Sequence, residues 1–310
     1  MTTVAHGGIT PMNHGLLFAT CLAWLASLAH AQAPGVPIHD DPKIIATLTK
    51  ACAEQLESGK LVASSKLFEQ RSRAACELTL PAMRTERRTA ASVHELARPS
   101  CLVVGEFFRC QTCSQWHLNA GSGFVLTNDG AIVTCYHMLA EDEGATESYL
   151  VAASLDGSVF PVREVLAANV HADTCILRID APPLVPLPLN VDTHPGDTVY
   201  CLSNPADNFG YFTHGIIARF FVNHEPITAA GRTLVQGDEL RPTCFMAVTV
   251  DFAVGSSGGP ILDECGNAVG HVQSTGTVFA DEDTHRAESY QITLKQATTA
   301  RAVLAMIKPK

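Results

Sequence analysis

The chain has 310 residues, 46% of them hydrophobic, so it is long enough for roughly two compact domains and too apolar to be disordered throughout. Its formal net charge is −10 and no Lys/Arg-rich block appears, which excludes an electrostatic nucleic-acid surface.

The first element reads as an address. Gly15 to Leu28 is apolar, uncharged and short, and "AHAQAP" follows with Ala29 and Ala31 in the small positions of a cleavage site. The stretch before it has histidines but no Lys or Arg, and Met12 offers a second start. The pattern predicts a signal peptide over residues 1–31, cleaved after Ala31, and a mature protein that is periplasmic or secreted. Retention as an anchor is the alternative, and only then would the chain meet a membrane. Cysteine usage agrees with export. Of 11 cysteines, Cys21 falls inside the signal and ten remain, an even number that leads to an expectation of disulfides. The plainer alternative is small buried hydrophobes.

Residues 32–40 ("QAPGVPIHD") read as a linker. Asp41-Pro42 then looks like an N-cap and first helical position, and Ile44, Ile45, Leu48, Cys52 and Leu56 recur at helical spacing before Gly59. Further helices are predicted from about Leu61 to Glu77 and from Glu86 to Leu96, so 41–98 forms a small helical segment. Cys52 and Cys76 are its only thiols, but a hairpin turning near Gly59 would leave them roughly 13 Å apart along the helix axis, which argues against pairing.

From Ser100 the texture changes to short β-branched runs separated by Gly, Pro, Asn and Asp, such as "CLVVGEFF", "SGFVLT", "AIVTCY", "DTCILRI" and "GIIARFFV". Many short strands at near-regular spacing predict an antiparallel sandwich or barrel. "APPLVPLPL" (Ala181 to Leu189) is excluded as an internal strand by its prolines and is read as a crossover between half-domains. The tail, 296–307, reads as a terminal helix.

The chemistry centres on "GSSGGP", Gly255 to Pro260. Two serines among glycines suit a turn that points backbone N–H groups at a ligand. A serine nucleophile needs a base and a group that orients the base. The pattern G-x-S-x-G also occurs in α/β-hydrolases, where acid and histidine follow the serine. Here only His271 and His285 follow Ser257, whereas His137 and Asp173 precede it. His137 closes "GSGFVLTNDGAIVTCYHML", a hairpin turning at Asn128-Asp129-Gly130, and Asp173 opens the strand "DTCILRI".

With these blocks in order, residues from about 100 to 307 resemble the trypsin-like serine peptidases, especially their HtrA/Deg branch. "GSGFVLTNDGAIVTCYHML", "ADTCILRID", "PLPLNVDTHPGDTVYCLSNP" and "GSSGGPILDECGNAVGHV" are similar to four consecutive family blocks. The resemblance implies an all-β fold of two six-stranded barrels, about 99–185 and 190–295, with the cleft between them. It also implies His137 as general base and acid, Asp173 as its orienting partner and Ser257 as nucleophile. The N–H groups of Gly255 and Ser257 would form the oxyanion hole. Protein or peptide substrates follow from this, without a cofactor.

Three departures qualify the resemblance. Ser256 stands where digestive relatives carry an aspartate that pairs with a freed N-terminus, so activation through that pair is not expected. The PDZ modules usual in HtrA/Deg proteins are not expected in this chain, and their peptide-sensing behaviour is not carried over. Cys135 and Cys175, each two residues from a triad member, are expected to face the core as thiols, a mutual disulfide being the alternative.

Asp251 lies where trypsin holds a specificity-pocket carboxylate, but an ordinary loop aspartate has the same appearance. Ser274, on the strand after the nucleophile, is the other substrate-binding candidate. Cys101, Cys110, Cys113 and His117 have metal-ligating side chains around one C-x-x-C half-site. The lack of a second C-x-x-C and the expected export favour disulfides or free thiols there, and no metal is expected. His171, His194, His214, His224, His271 and His285 are expected on the surface or in loops. Two other classes of function stay in view: a binding or chaperone-like protein on this fold, and an esterase or lipase, which chain order disfavours.

Overall fold

A computed structural model describes residues 38–140, 144–224, 227–229, 232–235, 241, 243–280 and 289–309. The signal segment, most of the linker, Cys21 and His285 lie outside the described residues.

The first helix, α1 (Asp41–Glu57), starts one residue earlier than its sequence suggests. Asp40 is the cap, accepting from the Lys43 N–H at 3.2 Å, while the Asp41 carboxylate accepts from the Phe209 N–H at 3.1 Å. Gly59 stands just past the end with φ +69°, the left-handed turn that stops the helix. Leu48 and Cys52, one helical turn apart, are fully buried against Val103, Phe107, Tyr149 and Val151.

The two shorter helices differ from expectation. Instead of running from Leu61 to Glu77, the chain forms α2 (Ser64–Phe68) and then β1 (Cys76–Leu78), which pairs in parallel with β16 (Ile307–Pro309). A ladder with a strand about 230 positions away replaces the local helix bonds, and no window of sequence reveals that competition. The third helix, α3 (Ala90–Ala97), begins late because residues before it run extended against the second barrel. Asn267 bonds both the N–H and the C=O of Arg84, at 2.8 and 2.9 Å. Cys52 and Cys76 are far from any hairpin arrangement: Cys76 lies against the Met306 carbonyl.

Six strands close the first barrel in the order β2 (Cys101–Cys110), β3 (Trp116–Val125), β4 (Ala131–Thr134), β7 (Thr174–Ile179), β6 (Val159–Asn169) and β5 (Ala145–Ala153). Alternation along β2 is plain. Leu102 and Val104 enter one core with Val125, Ile132 and Leu177, while Val103 and Phe107 face α1. The second barrel closes in the order β12 (Thr243–Val248), β15 (Tyr290–Thr299), β14 (Ala268–Phe279), β13 (Pro260–Leu262), β8 (Thr198–Ser203) and β9 (Tyr211–Asn223). A small antiparallel pair, β10 (Ile227–Ala229) and β11 (Arg232–Val235), forms a separate sheet, with Ile227 buried against Phe221 and Phe245 of the second barrel.

The predicted terminal helix is only partly helical. Gln296 to Thr299 stay in β15, paired with β14, and only Ala300–Leu304 are helical (α4). A third core lies where the barrels meet: Phe124, Val133 and Ile176 of the first pack with Leu202, Leu262 and Ala268 of the second, and Val93, Ala97 and Val303 extend it. All ten cysteines of the described residues are free thiols, against the expectation of disulfides. Cys52, Cys135, Cys175 and Cys201 are buried and serve as small apolar side chains.

Candidate active site

His137 sits in the single 3-10 turn Tyr136–Leu139 that leaves β4, and Asp173 immediately precedes β7, the neighbouring strand. Asp173 is fully buried and has φ +47°, a left-handed conformation that costs a non-glycine residue about 1–2 kcal/mol. That geometry turns its carboxylate to His137. Oδ1 accepts from the His137 backbone N–H at 2.9 Å, Oδ2 pairs with the imidazole Nδ1 at 2.8 Å, and the Gln273 amide donates to Oδ2 at 3.1 Å.

The electrostatics follow from this cage. Burial alone would raise the Asp173 carboxyl, but the His137 charge and the N–H donors outweigh it and hold the group below its ordinary value. Burial would likewise keep His137 neutral. The Asp173 charge and hydrogen bond prevail, so the imidazole binds its proton more tightly than usual.

Ser257 belongs to the turn between β12 and β13. Gly255 has φ +89° and Gly258 φ +83°, and a Cβ on Gly258 would lie 2.3 Å from the Ser122 carbonyl. Glycine is therefore required there for conformation and for space. Ser122 ties the turn to β3: its N–H donates to the Ser257 carbonyl and its hydroxyl to the Gly255 carbonyl, each at 2.9 Å. Ser256 is fully buried, and its hydroxyl accepts from Ser203 at 3.0 Å, so it anchors the turn. Among the described residues, neither the Gly255 nor the Ser257 N–H has an acceptor within the protein.

His137, Gly255 and Ser257 line one cavity of about 270 Å³ between the barrels, together with Asn119, Gly121, Met138 and Val254. No hydrogen bond joins Ser257 to His137 among the described residues. The Ser257 hydroxyl instead lies near the sulfur of Cys135, and the Gly258 N–H donates to the Val272 carbonyl at 2.9 Å. Cys135 is fully buried and donates to the Val272 carbonyl at 3.1 Å. Burial, reinforced by the Asp173 charge, pushes its thiol well above the ordinary value, so it stays protonated and is a poor nucleophile. Cys175 is likewise a buried free thiol.

Asp251 and Ser274 are not among the residues lining this cavity. Asp251 has a side chain 79% exposed with the Lys295 ammonium 4.0 Å away, and Ser274 donates to the neighbouring Gln273 side chain.

Two features escaped the sequence reading. His271, expected on the surface, is fully buried on β14, with Nε2 bonded to Thr174 Oγ1 at 2.8 Å and a pKa lowered by burial to about 4. Gln273 orients Asp173. The period of two along β14 places Gln273 and His271 on one face, which is the signal that was available for both. His214 is exposed beside Tyr200, with ring centroids 5.8 Å apart, as expected of a surface histidine.

Residues 121–270 match the model of the trypsin-like peptidase domain. The chain is 32% identical over 157 residues to the chloroplastic Protease Do-like 1 of Arabidopsis thaliana, covering 49% of this chain and 32% of that one. It is 28% identical over 154 residues to the serine endoprotease DegS of Haemophilus influenzae, covering 49% of this chain and 40% of the relative. A DegP-like protein of Halomonas elongata, named a probable periplasmic serine endoprotease, is 30% identical over 159 residues, 51% of this chain and 30% of its own. The chain thus spans between about a third and two fifths of these relatives. Among solved structures, the active form of the Rv3671c protease of M. tuberculosis superposes with TM-score 0.52 at 22% identity, over 74% of this chain and 92% of that one. A serine-to-alanine variant of the HtrA-type protease AlgW with a tripeptide gives TM-score 0.51 at 19% identity, over 70% of this chain and 62% of that one. These two likenesses concern the fold.

Proposed function

We propose that this chain, whose residues 121–270 match the trypsin-like peptidase domain, is a serine endopeptidase that cleaves protein or peptide substrates through an acyl-enzyme. The observation that carries the reading is that His137, already paired with Asp173, shares one cavity with Ser257 and two backbone N–H groups lacking acceptors.

In this reading His137 Nε2 takes the proton of the Ser257 hydroxyl as Oγ attacks the scissile carbonyl carbon. Asp173 keeps the Nδ1 proton in place and stabilises the imidazolium. The developing oxyanion is received by the N–H groups of Gly255 and Ser257, donors whose loss costs about 3 kcal/mol each in comparable sites. His137 then protonates the departing amine, and water repeats the sequence to release the acid. The Ser257 hydroxyl reaches His137 by rotating about its Cα–Cβ bond, away from Cys135. Such hydrogen bonds commonly tighten only when substrate binds.

The apolar segment at residues 15–28 and the periplasmic naming of the Halomonas relative both support export of the mature chain. One observation favours a second reading, a binding protein without turnover: the absent Ser257–His137 bond. Labelling with a fluorophosphonate probe and casein cleavage, each compared with Ser257→Ala, separates the two. The peptidase reading expects label and cleavage in the wild-type chain and neither in the variant. A folded wild-type chain that takes no label belongs to the binding class.

A further inference from the structure

Three metal-ligating side chains that peptide hydrolysis does not use meet at the tip of the β2–β3 hairpin. The connection "CQTCSQWH" brings Cys110 Sγ, Cys113 Sγ and a ring nitrogen of His117 all within 4.8 Å of one another. Cys113 Sγ lies 3.1 Å from His117 Nε2. Cys101, which the sequence grouped with them, is not part of the cluster.

The turn holds this arrangement through its backbone. The Ser114 N–H donates to the Cys110 carbonyl and the Cys110 N–H to the Gln115 carbonyl, each at 2.9 Å. Ser114 adopts φ +58°, a left-handed conformation that bends the chain so that both sulfurs emerge on one side. The His117 ring packs against Phe108, with centroids 5.6 Å apart, which restrains its rotation.

A tetrahedral ion with sulfur ligands at about 2.3 Å and imidazole at about 2.05 Å sets its ligand atoms roughly 3.6–3.8 Å apart. The three atoms need shifts of about 1 Å or less to meet that. Cys113 and His117 are exposed, so an ion has a path from solvent. The other group of this kind, Cys135 with His137 and Asp173, differs. It lies in the protein interior, and its imidazole already spends Nδ1 on Asp173.

We propose that Cys110, Cys113 and His117 bind one zinc ion, with the fourth position left to water or an external ligand. Two thiolates and an imidazole suit zinc better than magnesium or calcium, which require oxygen ligands. Binding releases the two thiol protons, so the filled site carries no net charge. The ion pins the hairpin tip two residues from Asn119, which lines the substrate cavity.

The full chain, reduced under argon and stripped with chelator, is titrated with Co(II) and then Zn(II). One equivalent of Co(II) is expected to give thiolate-to-cobalt charge-transfer absorption and intense tetrahedral d–d bands, which zinc abolishes. Cys113→Ser is expected to weaken zinc binding by more than the roughly 10–100-fold that loss of an outer-shell partner costs. His117→Ala also weakens it, whereas Cys244→Ser, which removes an exposed thiol elsewhere, leaves it unchanged. Circular dichroism confirms that each variant is folded, and probe labelling of Ser257 is a separate readout. Absence of stoichiometric binding to the folded, reduced chain overturns the proposal. So does binding that survives Cys113→Ser, or a Cys110–Cys113 disulfide in metal-free protein isolated from its native compartment.

Discussion

Replacing Asp173 by asparagine changes one oxygen to an amide nitrogen, and the geometry dictates the consequence. Oδ1 accepts from the His137 backbone N–H, which is unable to become an acceptor, so the asparagine oxygen stays there. The new NH2 then faces His137 Nδ1 across the 2.8 Å now spanned by Oδ2. The imidazole accommodates it by moving its proton from Nδ1 to Nε2, and the Gln273 amide turns to offer its oxygen. Hydrogen bonding is preserved, but the nitrogen that should take the serine proton is already protonated. A loss of about 10⁴ in kcat is expected, or about 5 kcal/mol at 1.36 kcal/mol per decade. The pH profile supplies a second reading. In the wild-type chain the acid limb of kcat/KM lies above 6.5, because His137 is raised from that value and must be neutral to act as base. The variant loses the carboxylate that raises it and keeps the burial that lowers it, so its imidazole titrates at lower pH. Stability follows the same signs: the His137 contribution is present below 6.5 and lost as pH rises through its raised value. The Asp173 contribution is present above the carboxylate range and lost as pH falls through its depressed value. Fluorogenic-peptide kinetics and imidazole NMR titrations measure both effects. An Asp173→Asn enzyme retaining a tenth of kcat with an unshifted profile would refute the argument.

Gly258→Ala forces a Cβ to 2.3 Å from the Ser122 carbonyl at φ +83°. It is expected to lower the thermal midpoint and abolish probe labelling at temperatures where the chain stays folded; full labelling would mean that the turn tolerates a side chain. Leu48→Ala empties a fully buried site between α1 and the first barrel at about 3–5 kcal/mol. Denaturant unfolding measures that, and a change below 1 kcal/mol would mean that α1 contributes little to the fold. Peptides differing only before the scissile bond are expected to favour Val or Ala over Arg, because Asp251 is exposed and accompanied by Lys295. Preference for Arg would restore Asp251 as a specificity residue.

The parts of this protein that are legible in its sequence are those set by neighbours along the chain. Gly255 and Gly258 announce a turn with left-handed backbone, the short β-branched runs announce an antiparallel sandwich or barrel, and the order His137, Asp173, Ser257 separates one hydrolase arrangement from another. A β-turn or a two-residue alternation is encoded within a few positions, so local sequence suffices. What only the tertiary structure decided involves partners far apart in the chain. Gln273 reaches Asp173 across 100 positions, His271 is buried against Thr174, and β1 leaves the helical pattern to pair beside Met306. Whether a given histidine is buried, or three ligands share one side of a hairpin, depends on register and strand twist. Those are outcomes of closing a barrel, and no single segment carries them.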